Sequence, residues 1–348
     1  MKPLVRKGRD FGQFLKALKR QGKPAYLPFY EHIASPGFIA RRTGSRFDRM
    51  TPDFPAYWRT YIDFWLGLGY DCIPMEIPLK CRLASSDRHG ASSDGSEAHV
   101  VFRTMADFEK YAWPDESSPI EFSHFEVVAD MLPAGVKIVG GVCAGPYEWA
   151  SQMLGTVGMA YAIADCPELV EAVFRKLGIL HTSAHRQLAS MDGIGALRQG
   201  DDLGFKTSTF LSPDRLRRHV FPIYKQMADA AHSHDKPFIL HSCGNLREVY
   251  EDLINDCRID AKHSFEDGIM PVDQFKKQYV QRITPLGGLD VDTICRSTQD
   301  ELRVYARRMI ENCFADGWWA LGTGNSLTDY MPVDNFITIL EEGLKVRG

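Results

Sequence analysis

The sequence predicts a closed barrel of eight parallel strands wrapped by helices, and two patterns carry that expectation. Short apolar or β-rich runs recur eight times, at 25–29, 72–77, 137–142, 196–200, 238–241, 260–264, 284–289 and 318–321. Helix-period stretches lie between many of them, at 54–68, 166–191, 213–234, 246–257 and 300–314. Strand then helix, repeated eight times, is the pattern of a (β/α)8 TIM barrel in the α/β class. An open doubly wound sheet is the competing architecture, but no Gly-x-Gly-x-x-Gly turn follows the first run. The 348 residues suffice for a single such domain over 1–348, with room for insertions.

The elements follow in order. Residues 1–23 are basic but lack the apolar centre of a secretion signal, and Phe11, Leu15 and Leu18 recur at helical spacing, which predicts an N-terminal amphipathic helix. The second run, Cys72-Ile73-Pro74-Met75-Glu76-Ile77, is apolar except for one carboxylate. A carboxylate in a buried strand must be paired, protonated or bound to a cation. The stretch 83–98 is rich in Ser, Asp, Gly and His, contains the turn signal Asp94-Gly95, and leads into His99-Val100-Val101-Phe102. It reads as a hairpin or flap at about 83–102, inserted after the second strand at the mouth of the barrel; a solvated loop is equally economical. Further on, Ser212 before Pro213 and Ser297-Thr298 before an acidic turn mark helix starts. Trp318 and Trp319 read as barrel wall, and His181, His185, His219, His232 and His234 as surface positions on helices.

Composition narrows the function. A net charge of −4 gives no basic excess for nucleic acid or an anionic membrane, and no run is long enough to span a bilayer. Cys72, Cys81, Cys143, Cys166, Cys243, Cys257, Cys295 and Cys313 are scattered without a Cys-x-x-Cys pair, which points to a reduced, cytoplasmic setting.

The chemistry concentrates at His241-Ser242-Cys243-Gly244, which ends the fifth run. Positions i and i+2 of a strand share a face, so an imidazole and a thiol project together. That pair suits half of a zinc site, and equally a buried thiol beside a hydrogen-bonded histidine. In a barrel the other strand ends converge on the same place. They bring Glu76, Cys143, Asp201 and Asp202, His263 with Glu266 and Asp267, Asp290 and Asp292, and Thr323 with Asn325. Asp267, Asp290 and Asp292 serve equally as helix caps or loop acceptors, and Cys143 as a small core residue.

In this order the segments resemble the uroporphyrinogen decarboxylase superfamily, most clearly from 138 to 342. They are Gly145-Pro146-Tyr147, Asp201-Asp202-Leu203-Gly204, Leu211-Ser212-Pro213, His241-Ser242-Cys243-Gly244, Leu286-Gly287-Gly288-Leu289-Asp290 and Leu321-Gly322-Thr323-Gly324-Asn325. The resemblance implies a TIM barrel and either porphyrinogen decarboxylation or cobalamin-linked methyl transfer. Departures favour the second. The decarboxylases carry an arginine-rich segment after the first strand, where this chain reads Pro28-Phe29-Tyr30-Glu31-His32-Ile33-Ala34. Gln152 stands for an expected tyrosine, Thr323 for a histidine and Glu76 for an aspartate. The His-x-Cys pair is similar to that of the zinc methyltransferases, whose further cysteine ligand near the last strand end is here replaced by Thr323, Gly324 and Asn325.

The resemblance therefore implies zinc on His241 and Cys243, completed by Glu76 or His263, with Glu76, Asp201, Asp202 and Asn325 as catalytic candidates. The expected activity moves a methyl group between a small methylated substrate and a cobalamin on a corrinoid protein partner. A carboxy-lyase for another small acid, using Asp201 or Asp202, is the alternative enzyme, and a non-catalytic barrel binding a ligand or a corrinoid partner is the alternative outside catalysis. A homodimer is open on this reading.

Overall fold

The computed structural model describes residue 4 and residues 8–83 and 100–346. Six strands form one parallel sheet in chain order: β1 (Cys72–Pro78), β2 (Lys137–Cys143), β3 (Ile194–Gly200), β4 (Phe238–His241), β5 (Ala261–His263) and β6 (Thr284–Pro285). The expected first and last strands are present only as single parallel bridges: Phe29 with Leu321, Leu286 with Ala320, and Leu289 with Thr323. Pro28 has no amide hydrogen to donate. The first run is therefore joined to the last by Tyr30 N–H to Leu321 O and Leu321 N–H to Pro28 O, each 2.9 Å.

All eight runs nonetheless surround one core. Tyr30, just after the first run, and Cys72, Val139, Ala196, Ile239, Ala261, Leu286 and Ala320, one from each of the other seven, pack together with Phe11, Phe14 and Leu18. The last three come from the N-terminal helix Phe11–Lys19, which plugs the barrel beneath the strand starts. Asp10 caps that helix by accepting from Gly12 N–H. At its other end the Arg20 guanidinium donates to Asp260 O and Thr284 Oγ1, at 3.0 and 3.2 Å. Phe14 and Leu18 are wholly buried, and each such side chain contributes about 2–3 kcal/mol through removal from water. The chain is thus a single TIM barrel of the α/β class.

The outer layer departs from expectation in three places. The helix expected at 213–234 breaks at Val220 into Pro213–His219 and Phe221–His232, because Pro222 withholds an amide and opens the second helix. The stretch 246–257 is a short turn, Arg247–Val249, followed by one wide turn, Asp252–Asp256. His181, His185 and His219, read as surface residues, are buried; the first two lie on the inner face of the long helix Pro167–Ser190 and hydrogen-bond to carbonyl oxygens. The hairpin expected at about 83–102 falls on 84–99, outside the described residues, except for its edges. At the far edge the Val101 and Phe102 amides both donate to Met153 O. Among the described residues no helix is long and apolar enough to cross a membrane.

Candidate metal centre at the barrel mouth

His241 ends β4 and Cys243 follows two residues later, where the chain turns at Gly244. The turn is held by Cys243 N–H donating to Asp202 Oδ1 at 2.9 Å. That bond fixes three donors in one place. His241 Nε2 lies 3.5 Å from Cys243 Sγ and 3.7 Å from Asp202 Oδ1, and the three ligand atoms all fall within 4.8 Å of one another. Bonds of 2.0–2.3 Å in tetrahedral array place zinc ligands about 3.4–3.6 Å apart, and the two separations from His241 Nε2 are close to that. Around the sulfur, Asn325 Nδ2 donates at 3.2 Å and Ser264 Oγ sits at 3.5 Å. Burial and the neighbouring Asp202 push the Cys243 thiol up to about 12. A cation is what this sulfur needs to become a thiolate at neutral pH.

Behind the donors lies a stack of imidazoles. His32 and His241 are parallel, with ring centroids 3.7 Å apart. His241 Nδ1 is 2.7 Å from His263 Nδ1, and His263 Nε2 is 3.0 Å from Thr323 O. Thr323 in turn donates its N–H and its hydroxyl to the two oxygens of Glu31, at 2.6 and 2.7 Å. Burial pushes all three imidazoles down, His263 to about 3, and raises the Glu31 carboxyl to about 8.

Glu76 has a different partner. Glu76 on β1 is in register with Gly141 on β2, and Gly141 with Arg198 on β3. A Cβ at Gly141 would meet Arg198 O at 2.0 Å and Arg198 Cγ at 2.9 Å, so only glycine lets the guanidinium cross to Glu76. Arg198, wholly buried, reaches Glu76 Oε2 at 2.8 Å and donates to His32 Nδ1 at 2.8 Å and to His32 O. His32 Nε2 lies 3.9 Å from Glu76, so the carboxylate reaches His241 only across the His32 ring.

Asp201 and Asp202 are adjacent but face different work. Asp201 is buried and accepts from Tyr147 N–H, Glu148 N–H and Tyr224 Oη, at 3.0, 2.9 and 2.7 Å. A Cβ at Gly145 would stand 2.1 Å from Asp201 Cγ, which explains the glycine before Pro146. Asp201 thereby anchors the start of helix Pro146–Leu154. Burial beside Asp201 and Asp202 pushes the Glu148 carboxyl up to about 9, and with three donors already on Asp201 the proton of this pair rests on Glu148.

Of the predicted site residues, the structure gathers His241, Cys243, Asp202 and Asn325. The third donor is Asp202; Glu76 is tied to Arg198, and both nitrogens of His263 are engaged. Asp290 caps helix Val291–Arg296 through Thr293 N–H, and Asp292 pairs with Arg296. Cys143 is pushed up to about 12 by burial and the nearby Glu76. Sequence reasoning missed Glu31, His32, Glu148, Arg198 and Lys262. One of these had a signal, since Arg198 is a charge in a strand that begins apolar, as Glu76 is. Lys262 is buried, donates to Ser264 O and lies 4.4 Å over the Phe265 ring. Burial lowers its ammonium to about 8, against the pull of Cys243, Asp202 and Glu266. Beside Asn325 opens a cleft of about 770 Å³ lined by Phe265, Glu266, Asp290, Cys295 and Tyr330, ample for a small substrate.

The family model described as uroporphyrinogen decarboxylase (URO-D) matches residues 90–342, and the chain belongs to that family. Its fold is similar to that of a methyltransferase from Methanosarcina mazei, at 16% identity and a TM-score of 0.67, covering 95% of this chain and 97% of the other. A putative vitamin-B12 independent methionine synthase from Listeria monocytogenes aligns at 14% identity and a TM-score of 0.49, over 94% of this chain and 99% of that one. A comparison with curated proteins finds no match.

Proposed function

We propose that this member of the family is a zinc-assisted methyltransferase, moving a methyl group between a small substrate and a cobalamin carried by a partner protein. The observation that carries the reading is the trio of donors from two neighbouring strand ends: an imidazole nitrogen 3.5 Å from a thiol sulfur and 3.7 Å from a carboxylate oxygen, close to the separations a zinc ion sets between its ligands. Three protein donors leave a fourth position for a substrate atom. Zinc held there supplies Lewis acidity, making a bound thiol or oxygen the better methyl acceptor or leaving group.

The chain's own residues support that chemistry. Asn325 Nδ2 and the Lys262 ammonium provide positive potential for the Cys243 sulfur, and the cleft beside Asn325 offers the substrate a place. Asp201 is withdrawn from chemistry by its three donors, which weakens the carboxy-lyase alternative built on it.

Two measurements test the proposal. Metal analysis of the purified protein is expected to give one zinc per chain, strongly reduced by Cys243→Ser and by His241→Ala, with the barrel retained in both because the apolar core between the strands is left untouched. Methylcobalamin incubated with the protein and a panel of small thiols is expected to lose its methyl group to the thiol, leaving cob(I)alamin, and both variants should abolish this. Wild-type protein that stays metal-free in excess zinc, or demethylation unaffected by Cys243→Ser, overturns the proposal.

A further inference from the structure

We infer that His263 sets the direction of the His241 lone pair, as a positioning residue that Thr323 and Glu31 hold in place. A backbone carbonyl can only accept, so the 3.0 Å contact to Thr323 O puts a hydrogen on His263 Nε2. The neutral ring is then bare at Nδ1, which lies 2.7 Å from His241 Nδ1. One hydrogen fits between those two nitrogens, and it belongs to His241. Neutral His241 with its hydrogen on Nδ1 keeps its lone pair on Nε2, the atom 3.5 Å from Cys243 Sγ and 3.7 Å from Asp202 Oδ1. The other tautomer would set two bare nitrogens against each other at 2.7 Å and put an N–H where the three donors meet.

The relay is rigid because its far end is rigid. Thr323 O accepts from Gly288 N–H at 2.9 Å as well as from His263. The Thr323 amide and hydroxyl are both held by Glu31, and Glu31, Thr323 and His263 are all buried. On the opposite side of His241, Arg198 fixes His32 in the same manner, by donating to its Nδ1. The stacked ring leaves His241 no room to turn over. A histidine whose outer nitrogen is held in this way presents a fixed, more basic inner nitrogen to a cation.

The consequence for metal binding rests on the zinc reading above, whereas the tautomer does not, and the experiment separates them. Metal-free protein with ring-15N histidine is examined by long-range proton–nitrogen NMR. His241 is expected to carry hydrogen on Nδ1 and none on Nε2. His263→Leu should let the Nε2–H form appear and weaken zinc binding, read by chelator competition, about 10- to 100-fold. His263→Asn, which can return an acceptor oxygen to His241, should recover part of both. A wild-type His241 protonated on Nε2, or a leucine variant unchanged in tautomer and zinc affinity, overturns the inference. The expected tautomer in a protein that binds no zinc supports the relay and removes the metal reading instead.

Discussion

His32 lies flat against His241, ring centroids 3.7 Å apart and planes within 8° of each other. The two come from distant parts of the chain, one just after the first run and one at the end of β4. His32 is itself pinned, since Arg198 donates to both its ring and its backbone carbonyl while pairing with Glu76. The Glu76 carboxylate therefore acts on the donor site through a plate of aromatic rings.

That plate makes a first prediction. His32→Ala leaves a void beside His241 and removes one of the Arg198 acceptors, leaving its bonds to the backbone carbonyl of residue 32 and to Glu76. Truncating a buried ring costs about 3 kcal/mol, and the lost hydrogen bond adds to this. Denaturant midpoints should fall accordingly, and zinc affinity should drop about tenfold as the His241 ring gains freedom. A variant equal to wild type in both measurements would remove any supporting role for the stack.

The adjacent aspartates should separate cleanly. Asp201→Ala removes a buried acceptor from three donors and should cost about 3–5 kcal/mol of stability, read by urea unfolding. Asp202 is 42% exposed and its main structural bond is to one amide, so Asp202→Ala should cost little stability while losing most zinc. The reverse pattern would exchange their assigned roles.

Why one aspartate and not the other was closed to sequence reasoning is physical. Asp201-Asp202 is a plain repeat, and which side chain faces the pocket depends on where β3 ends relative to the helix at Pro146. The barrel itself was legible because strand and helix periods alternate through the chain, and the His241–Cys243 pair was legible because strand geometry puts i and i+2 together. The first and last strands were overcalled, since apolar content does not reveal that Pro28 cannot support a ladder. The partner of Glu76 needed the register: only the alignment of Glu76, Gly141 and Arg198 across three strands shows that a glycine gap joins two charges. Helical histidines were misjudged because His181 and His185 turn inward to carbonyl oxygens, a polar match that hydrophobic periodicity does not score.

Stability should peak near neutral pH in the metal-free protein. Burial raises the carboxyls of Glu31 to about 8 and Glu148 to about 9, so the folded state keeps protons that the unfolded chain has released above its ordinary carboxyl range near pH 4.5. Stability therefore declines as pH rises from there towards 8–9, by at most about 1.4 kcal/mol per pH unit for each group. Burial lowers His185 to about 4, so the unfolded chain takes up a proton below pH 6.5 that the folded state refuses. Buried His181 and His263 act in the same direction, and stability also falls as pH drops from 6.5 towards 4. Unfolding midpoints across pH 4–9 should show a maximum, and Glu31→Gln should flatten its alkaline side. A midpoint that climbs steadily to pH 9 would mean these carboxyls are ionised in the fold.

The mouth should also refuse the substrate for which the family is named. A porphyrinogen bearing many carboxylates needs cations to meet them, and the residues around this site run the other way. Glu76 and Asp202 stand at the strand ends, while Arg198 is wholly buried and already committed to Glu76 and His32. Lys262 is buried as well, and its ammonium is turned to Ser264 O. Each substrate carboxylate brought here would lose water and meet Asp202, a penalty of several kcal/mol; of the two cations lining the neighbouring cleft, Lys206 and Arg296, the second is already paired with Asp292. The segment 28–34 that follows the first run supplies Glu31 and His32 to the interior and no arginine to the mouth. Purified protein incubated anaerobically with uroporphyrinogen should therefore form no coproporphyrinogen above the protein-free rate. Glu76→Gln, which removes one negative charge but leaves Arg198 buried, should not create the activity. Steady coproporphyrinogen production by the wild-type chain would overturn this argument and, with it, the preference for methyl transfer.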